Sequence, residues 1–133
     1  MVFIVADKNK KLKILIVEDN GIFFNIVSEL LAEHEIIGAK TATDGLEKYK
    51  ECRPDITFLD ISLPDGNGHE LLIKIRLCYK NAYVIMMTAS RLKEDILQSM
   101  AEGAQGYIIK PFSSEMLHGC INEYYEYQHK DFS

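Results

Sequence analysis

Five residues of this chain carry acid, hydroxyl and amine chemistry at equivalent places: Glu18 and Asp19, Asp60, Thr88 and Lys110. Each place follows a short apolar run, namely Lys13–Val17 (KILIV), Ile56–Leu59 (ITFL), Tyr83–Met87 (YVIMM) and Gly106–Ile109 (GYII). Three carboxylates brought to one place repel each other. Two unit charges about 4 Å apart cost roughly 4 kcal/mol at an effective dielectric of about 20. Either a cation neutralises them or one carboxyl keeps its proton. An all-oxygen set, without thiolate or converging histidine, suits Mg²⁺ or Mn²⁺ rather than zinc. Lys110 and Thr88 add a positive charge and a hydroxyl donor. Together with the cation they would neutralise phosphoryl oxygens during in-line transfer. Asp60, central among these groups, is then the nucleophile and would form an acyl phosphate, adding about −1.5 to −2 of charge.

Such a grouping needs strand ends that meet, and the hydrophobic pattern supplies them. The four runs above, with a fifth over Ile36–Ala42, read as strands buried on both faces. Between them lie helical stripes. Ile22, Phe23, Ile26, Val27, Leu30 and Leu31 mark the first, and Leu46 and Tyr49 the second, which opens at Thr43-Asp44-Gly45 and stops at Pro54. Leu71, Leu72, Ile75 and Cys78 mark the third, and Ile96, Leu97, Met100 and Ala101 the fourth, closed by Gly103. Met116, Leu117, Cys120, Ile121, Tyr124 and Tyr125 form the last, with Ser113 as its N-cap. Strand and helix alternate at short spacing, so the expected fold is α/β, a doubly wound five-stranded parallel sheet flanked by five helices. In such sheets ligands bind beyond the carboxyl ends of the strands, where the five residues stand.

The whole chain limits the alternatives. Its 133 residues suit one domain with a real core. A net charge of −5, with Lys and Arg scattered, argues against direct nucleic-acid binding. Cys52, Cys78 and Cys120 stand far apart without a CxxC pair, which fits free thiols in a reducing compartment. No apolar run approaches the ~20 residues of a membrane span. The opening Met1–Ala6 is followed by lysines rather than preceded by them, the wrong order for a signal peptide, so a cytoplasmic location is expected. His34, His69, His118 and His129 show no mutual spacing, and none reads as a ligand or a phosphorylated histidine.

The segments KILIVEDN (13–20), DITFLDISLPDGNG (55–68), YVIMMTAS (83–90) and GYIIKPF (106–112) together resemble the receiver domain of two-component response regulators, the single-domain chemotaxis regulators among them. The likeness runs from about Lys13 to Tyr127. It implies a phosphoprotein of a two-component system or phosphorelay, whose aspartate takes a phosphoryl group from a sensor histidine kinase or histidine phosphotransfer protein. By position, Asp19 would bind Mg²⁺ directly and Glu18 through water, with Asp60 and the Ser62 carbonyl completing the metal set. Thr88 matches the switch hydroxyl, Lys110 the phosphoryl-pairing lysine, Pro111 a residue usually in cis linkage, and Tyr107 the aromatic that swings inward on activation. The implied output face spans roughly Arg91 to Tyr127, the fourth helix, fifth strand and fifth helix. Residues 1–12 then read as an N-terminal extension, 13–128 as the receiver and 129–133 as a tail.

Two departures from the family stand out. Gly66 replaces a residue that is often hydrophobic, so a more flexible loop is expected after Asp60. Ser62 and Ser90 hold positions that tune phosphate lifetime in the family. The expected partners are the phosphoryl donor and a downstream protein target, a dimer mate or a phosphorelay partner, with no direct contact to nucleic acid and no membrane insertion. Since few residues follow Tyr127, a stand-alone receiver is expected, and Met1 favours that over a piece of something longer.

Taken singly, each site residue has a plainer role: an acidic pair that caps a helix, an Asp that forms a turn, a solvated Lys, a strand-end hydroxyl, a packed Tyr107. Two functional rivals also stand. A metal-dependent enzyme, such as a Toprim-like nuclease or haloacid-dehalogenase-like phosphatase, would want a second acid where Ser62 lies. A degenerate receiver acting without phosphorylation would lack the acidic pair, the Asp or the Lys. The expected role is therefore an Asp60 phosphoacceptor that catalyses only its own modification.

Overall fold

A computed structural model describes residues 10–130. In chain order the elements are β1 (Lys13–Val17), α1 (Gly21–Leu30), β2 (Glu35–Ala39), α2 (Ala42–Cys52), β3 (Ile56–Leu59), β4 (Ser62–Leu63), β5 (Gly66–Asn67), α3 (Gly68–Cys78), β6 (Val84–Thr88), α4 (Lys93–Ala101), β7 (Gly106–Ile109) and α5 (Ser114–Lys130). The main sheet has the order β2-β1-β3-β6-β7, and every neighbouring pair is parallel. This is the doubly wound α/β fold that the alternating pattern requires. Residues 1–9 and 131–133, which hold most of the expected extension and tail, lie outside the described residues. Leu12, assigned by sequence to the extension, is fully buried in the core, and α5 continues to Lys130.

The sheet separates two apolar layers because successive side chains of a strand point to opposite faces. Ile14, Ile16 and Phe58 pack with Val27 of α1, with the C-cap Leu31 that follows it, and with Leu117, Ile121, Tyr124 and Tyr125 of α5. Leu15, Val17 and Leu59 pack on the other face with Tyr49 of α2 and Leu71, Leu72 and Ile75 of α3. No helix among the described residues is long and apolar enough to cross a membrane.

Several local expectations need correction. Ala42 is the first residue of α2, not the end of the second strand, because Thr41 Oγ1 accepts from the Asp44 N–H at 3.0 Å and caps the helix there. The fourth apolar strand runs one residue later than expected and takes in Thr88. In α1 the core face is Phe24 and Val27, continued by the C-cap Leu31, whereas Ile22 and Ile26 face solvent. In α4 the expected apolar stripe is also exposed at Leu97 and Met100, and the one buried residue is Ser99. The expected flexible loop around Gly66 is instead a short hairpin, with β4 and β5 antiparallel. Asp65 pins it by accepting the Ala42 and Thr43 N–H groups and the Thr43 hydroxyl at 2.7–3.0 Å.

Candidate functional site

The backbone ladder continues one residue past the strands that carry the candidate acids and amine. The Glu18 N–H donates to the Ala39 carbonyl at 2.9 Å, the Asp60 N–H to Val17 at 3.1 Å, and the Lys110 N–H to Thr88 at 2.8 Å. These positions are therefore set by the sheet before any side chain makes contact. They border the crevice where the strand order reverses, between β1 and β3. A close backbone approach shapes the same wall. The Gly68 N–H donates to the Ile61 carbonyl at 2.7 Å, and a Cβ at Gly68 would lie 2.1 Å from the Asp60 carbonyl oxygen, so only glycine fits.

Glu18, Asp19 and Asp60 each place a carboxylate oxygen within 4.8 Å of the others. Glu18 and Asp60 are 1% and 5% exposed, while Asp19 opens to solvent. The Lys110 ammonium reaches both buried acids, donating to Asp60 Oδ2 at 2.9 Å and pairing with Glu18 Oε1. The Phe23 ring lies 4.5 Å from that ammonium, a cation–π contact. The Ser62 N–H donates to Asp60 Oδ1 at 3.2 Å, and the Asn20 N–H to Glu18 Oε2 at 3.1 Å. Asn20 is also the N-cap of α1, its side chain accepting from Ile22 and Phe23. The segment after β1 thus starts a helix and orients an acid at once.

The electrostatics express the choice between a cation and a proton. Burial pushes the Glu18 carboxyl up to about 7, against the bonds from Lys110 and the Asn20 amide and with the help of the Asp60 charge. Burial also disfavours the Lys110 ammonium, but its bonds to Glu18 and Asp60 outweigh that and hold it above the usual lysine value. One ammonium is too little countercharge for this set. Three converging carboxylates, one of them open to solvent and one holding its proton too tightly, fit a hard divalent cation that keeps some of its water.

Thr88 is buried at the end of β6, and its Oγ1 accepts from the Ser90 N–H at 3.4 Å. Tyr107 is half-buried, and its hydroxyl donates to the Ser90 carbonyl at 3.0 Å, so the ring is turned in toward the loop after Thr88. Burial raises its phenol above the ordinary value. Ser62 is exposed beside Asp60, and the Lys110–Pro111 peptide is cis. The structure therefore gathers Glu18, Asp19, Asp60, Ser62 and Lys110, with Thr88 and Tyr107 meeting at Ser90.

Sequence reasoning set His69 aside as neither a ligand nor a phosphorylated histidine, and did not foresee its partners. It is 4% exposed, and its ring is held by Asp95 of α4 and by the C-cap of that helix, Glu102, with Nδ1 lying 2.5 Å from Glu102 Oε1 and Nε2 3.6 Å from Asp95 Oδ1. Its only signal in the sequence was a histidine two positions before the Leu71–Leu72 pair, and nothing there names partners 26 and 33 positions away.

Residues 14–122 match the family described as the response regulator receiver domain. A chemotaxis protein CheY of Thermotoga maritima is 29% identical over 114 residues, covering 84% of this chain and 95% of the relative. One from Halobacterium salinarum is 31% identical over 113 residues, covering 84% and 94%. Among solved structures, a CheY-like receiver domain protein from Methanospirillum hungatei superposes with a TM-score of 0.86 at 31% identity, covering 92% of this chain and 99% of that one. The BeF3-activated receiver domain of DrrB gives 0.81 at 29% identity, covering 88% and 99%.

Proposed function

This chain belongs to the response regulator receiver domain family, whose role is to accept a phosphoryl group in two-component signalling, and we propose that Asp60 is the acceptor and that its own neighbours promote the transfer. The observation that carries this reading is the convergence of Glu18, Asp19 and Asp60 with the Lys110 ammonium on Asp60.

Asp60 Oδ2 is held by Lys110 and Oδ1 by the Ser62 amide, which fixes the plane of the carboxylate before a donor arrives. Attack by a carboxylate oxygen on phosphorus breaks the bond to the donor's leaving group and leaves an acyl phosphate on Asp60. Lys110 would then follow the charge, moving from carboxylate to phosphoryl oxygen. Thr88, on the next strand, would turn its hydroxyl from Ser90 toward the same group. Asp19, Glu18, Asp60 and the Ser62 carbonyl are the groups that would hold Mg²⁺ or Mn²⁺. Bound there, the ion would neutralise charge that Lys110 alone does not. The donor's natural approach is over α1, where Ile22 and Ile26 are exposed beside the acidic rim, an apolar strip suited to helices of a histidine kinase or phosphotransfer protein. The downstream target would read the α4–β7–α5 side, where Leu92, Leu97, Met100 and Met116 lie open.

The test is labelling with acetyl phosphate and Mg²⁺, followed by intact mass. The wild type should gain one phosphoryl group, and chelation or Asp60→Asn should abolish it. Equal labelling of Asp60→Asn would overturn the assignment.

A further inference from the structure

His69 lies outside the phosphoacceptor crevice, yet it is wired to the two switch residues. It is the second residue of α3, and its ring spans two turns of α4, from Asp95 in the first turn to the C-cap Glu102. Asp95 Oδ2 accepts the Ser90 hydroxyl at 2.5 Å. Ser90 in turn gives its N–H to Thr88 and takes the Tyr107 hydroxyl on its carbonyl. Few other contacts secure α4. Only Ser99 is buried, and Leu92 at its N-cap makes no side-chain bond.

The ring is chemically incomplete as a neutral group. A neutral imidazole has one N–H. If Nδ1–H serves Glu102, the buried Nε2 turns a lone pair toward Asp95 and has no hydrogen-bond partner. A proton on Nε2 supplies the missing donor and places one positive charge between two carboxylates. The charged groups paired with the ring are Asp95 of α4 and the C-cap Glu102. On its own helix, the Arg76 guanidinium is engaged by the Gly103 and Lys80 carbonyls, and from β7 the neutral Tyr107 phenol stands beyond Ser90.

We propose that His69 is a positioning residue that makes the switch respond to pH: its protonation tightens the α3–α4 tie and favours the arrangement in which Tyr107 is turned in on Ser90. The link to phosphorylation rests on the Asp60 reading; the link between His69 and Tyr107 does not. Binding linkage is reciprocal, so a ligand at Asp60 that favours the inward Tyr107 also strengthens proton binding at His69.

The experiment follows the His69 ring and the backbone amides of Ser90, Asp95, Glu102 and Tyr107 by NMR from pH 8 to 5.5, in the full chain. The Ser90 and Tyr107 amides should titrate with the midpoint of the His69 ring. They should lose that component in His69→Gln, which keeps a hydrogen-bonding side chain without titrating, and in His69→Leu, which keeps the volume should the first variant fold poorly; what remains should follow the Glu18 carboxyl, which burial raises to about 7. Beryllofluoride with Mg²⁺ should raise the His69 midpoint. Its affinity should gain about fivefold more between pH 8 and 6 in the wild type than in His69→Gln, the low end of site–site coupling. A Tyr107 response of undiminished size in both variants, or a His69 titration that Ser90 and Tyr107 ignore, overturns the proposal. Absence of beryllofluoride binding at every pH would instead count against the Asp60 reading, and the coupling would still be decided in the unmodified protein.

Discussion

α5 and α4 lie next to each other in the chain on either side of β7, yet they are held by different physics. α5 sinks Leu117, Ile121, Tyr124 and Tyr125 into the core, and the Tyr125 hydroxyl donates to the Lys10 carbonyl at 2.6 Å. α4 leaves Leu97 and Met100 in solvent and is attached through His69–Glu102, His69–Asp95 and Asp95–Ser90. Removing a well-buried leucine costs several kcal/mol, whereas one exchanged polar bond is worth on the order of 1 kcal/mol. A helix of the first kind stays in place when one charge is added at the crevice. A helix of the second kind can shift, and it reaches Thr88 and Tyr107 through Ser90.

The largest effect should come from breaking the firmly packed side. Leu117→Ala should lose about 2–5 kcal/mol in urea unfolding, whereas Leu97→Ala on α4 should stay within about 0.5 kcal/mol of the wild type. Equal losses would erase the contrast. Native-state hydrogen exchange sharpens it without mutation. Amides of α4 should exchange through openings of lower energy than global unfolding, and those of α5 around Leu117 and Ile121 only through the global event.

The firmly packed side also has its own pH dependence. His34 accepts the Leu12 N–H on Nδ1 at 3.0 Å, and burial holds it below the ordinary histidine value against the pull of Glu33. The folded state thus binds this proton less readily than the unfolded one. The stability from neutral His34 is full above about pH 6.5 and is lost as the pH falls through the lowered folded value. The gap in melting temperature between wild type and His34→Gln should shrink between pH 7.5 and 5. A gap that widens would contradict this. The smallest effect belongs to the exposed cap at the hairpin. The Thr43 and Ala42 amides and the Thr43 hydroxyl hold the Asp65 carboxyl down to about 2, so its contribution is present above about pH 4 and lost as the pH falls through about 2. Asp65→Ala should destabilise at pH 7 and become neutral near pH 2, by thermal melts.

What the sequence disclosed follows from range. The apolar runs ending at Glu18, Asp60, Thr88 and Lys110 are local signals, and a parallel sheet must align their ends, so both topology and acidic centre were legible. The exposed face of α1 was not. Ile22, Phe23, Phe24, Ile26 and Val27 are consecutive enough to form two overlapping helical stripes, and only packing against Gly38 and α5 selects the Phe24–Val27–Leu31 face. The hairpin was missed because its anchor, Asp65, acts on residues 22 and 23 positions earlier. His69 was missed for the same reason, since its meaning lies on another helix.

The most direct measurement is chemical. Protein labelled with acetyl phosphate and Mg²⁺ is reduced with borohydride, which converts an aspartyl phosphate to homoserine, and its peptides are mapped by mass. Homoserine at position 60 and at no other aspartate is the predicted result. Homoserine at position 19, or a label that resists borohydride and maps to a serine, threonine or histidine, would contradict the account.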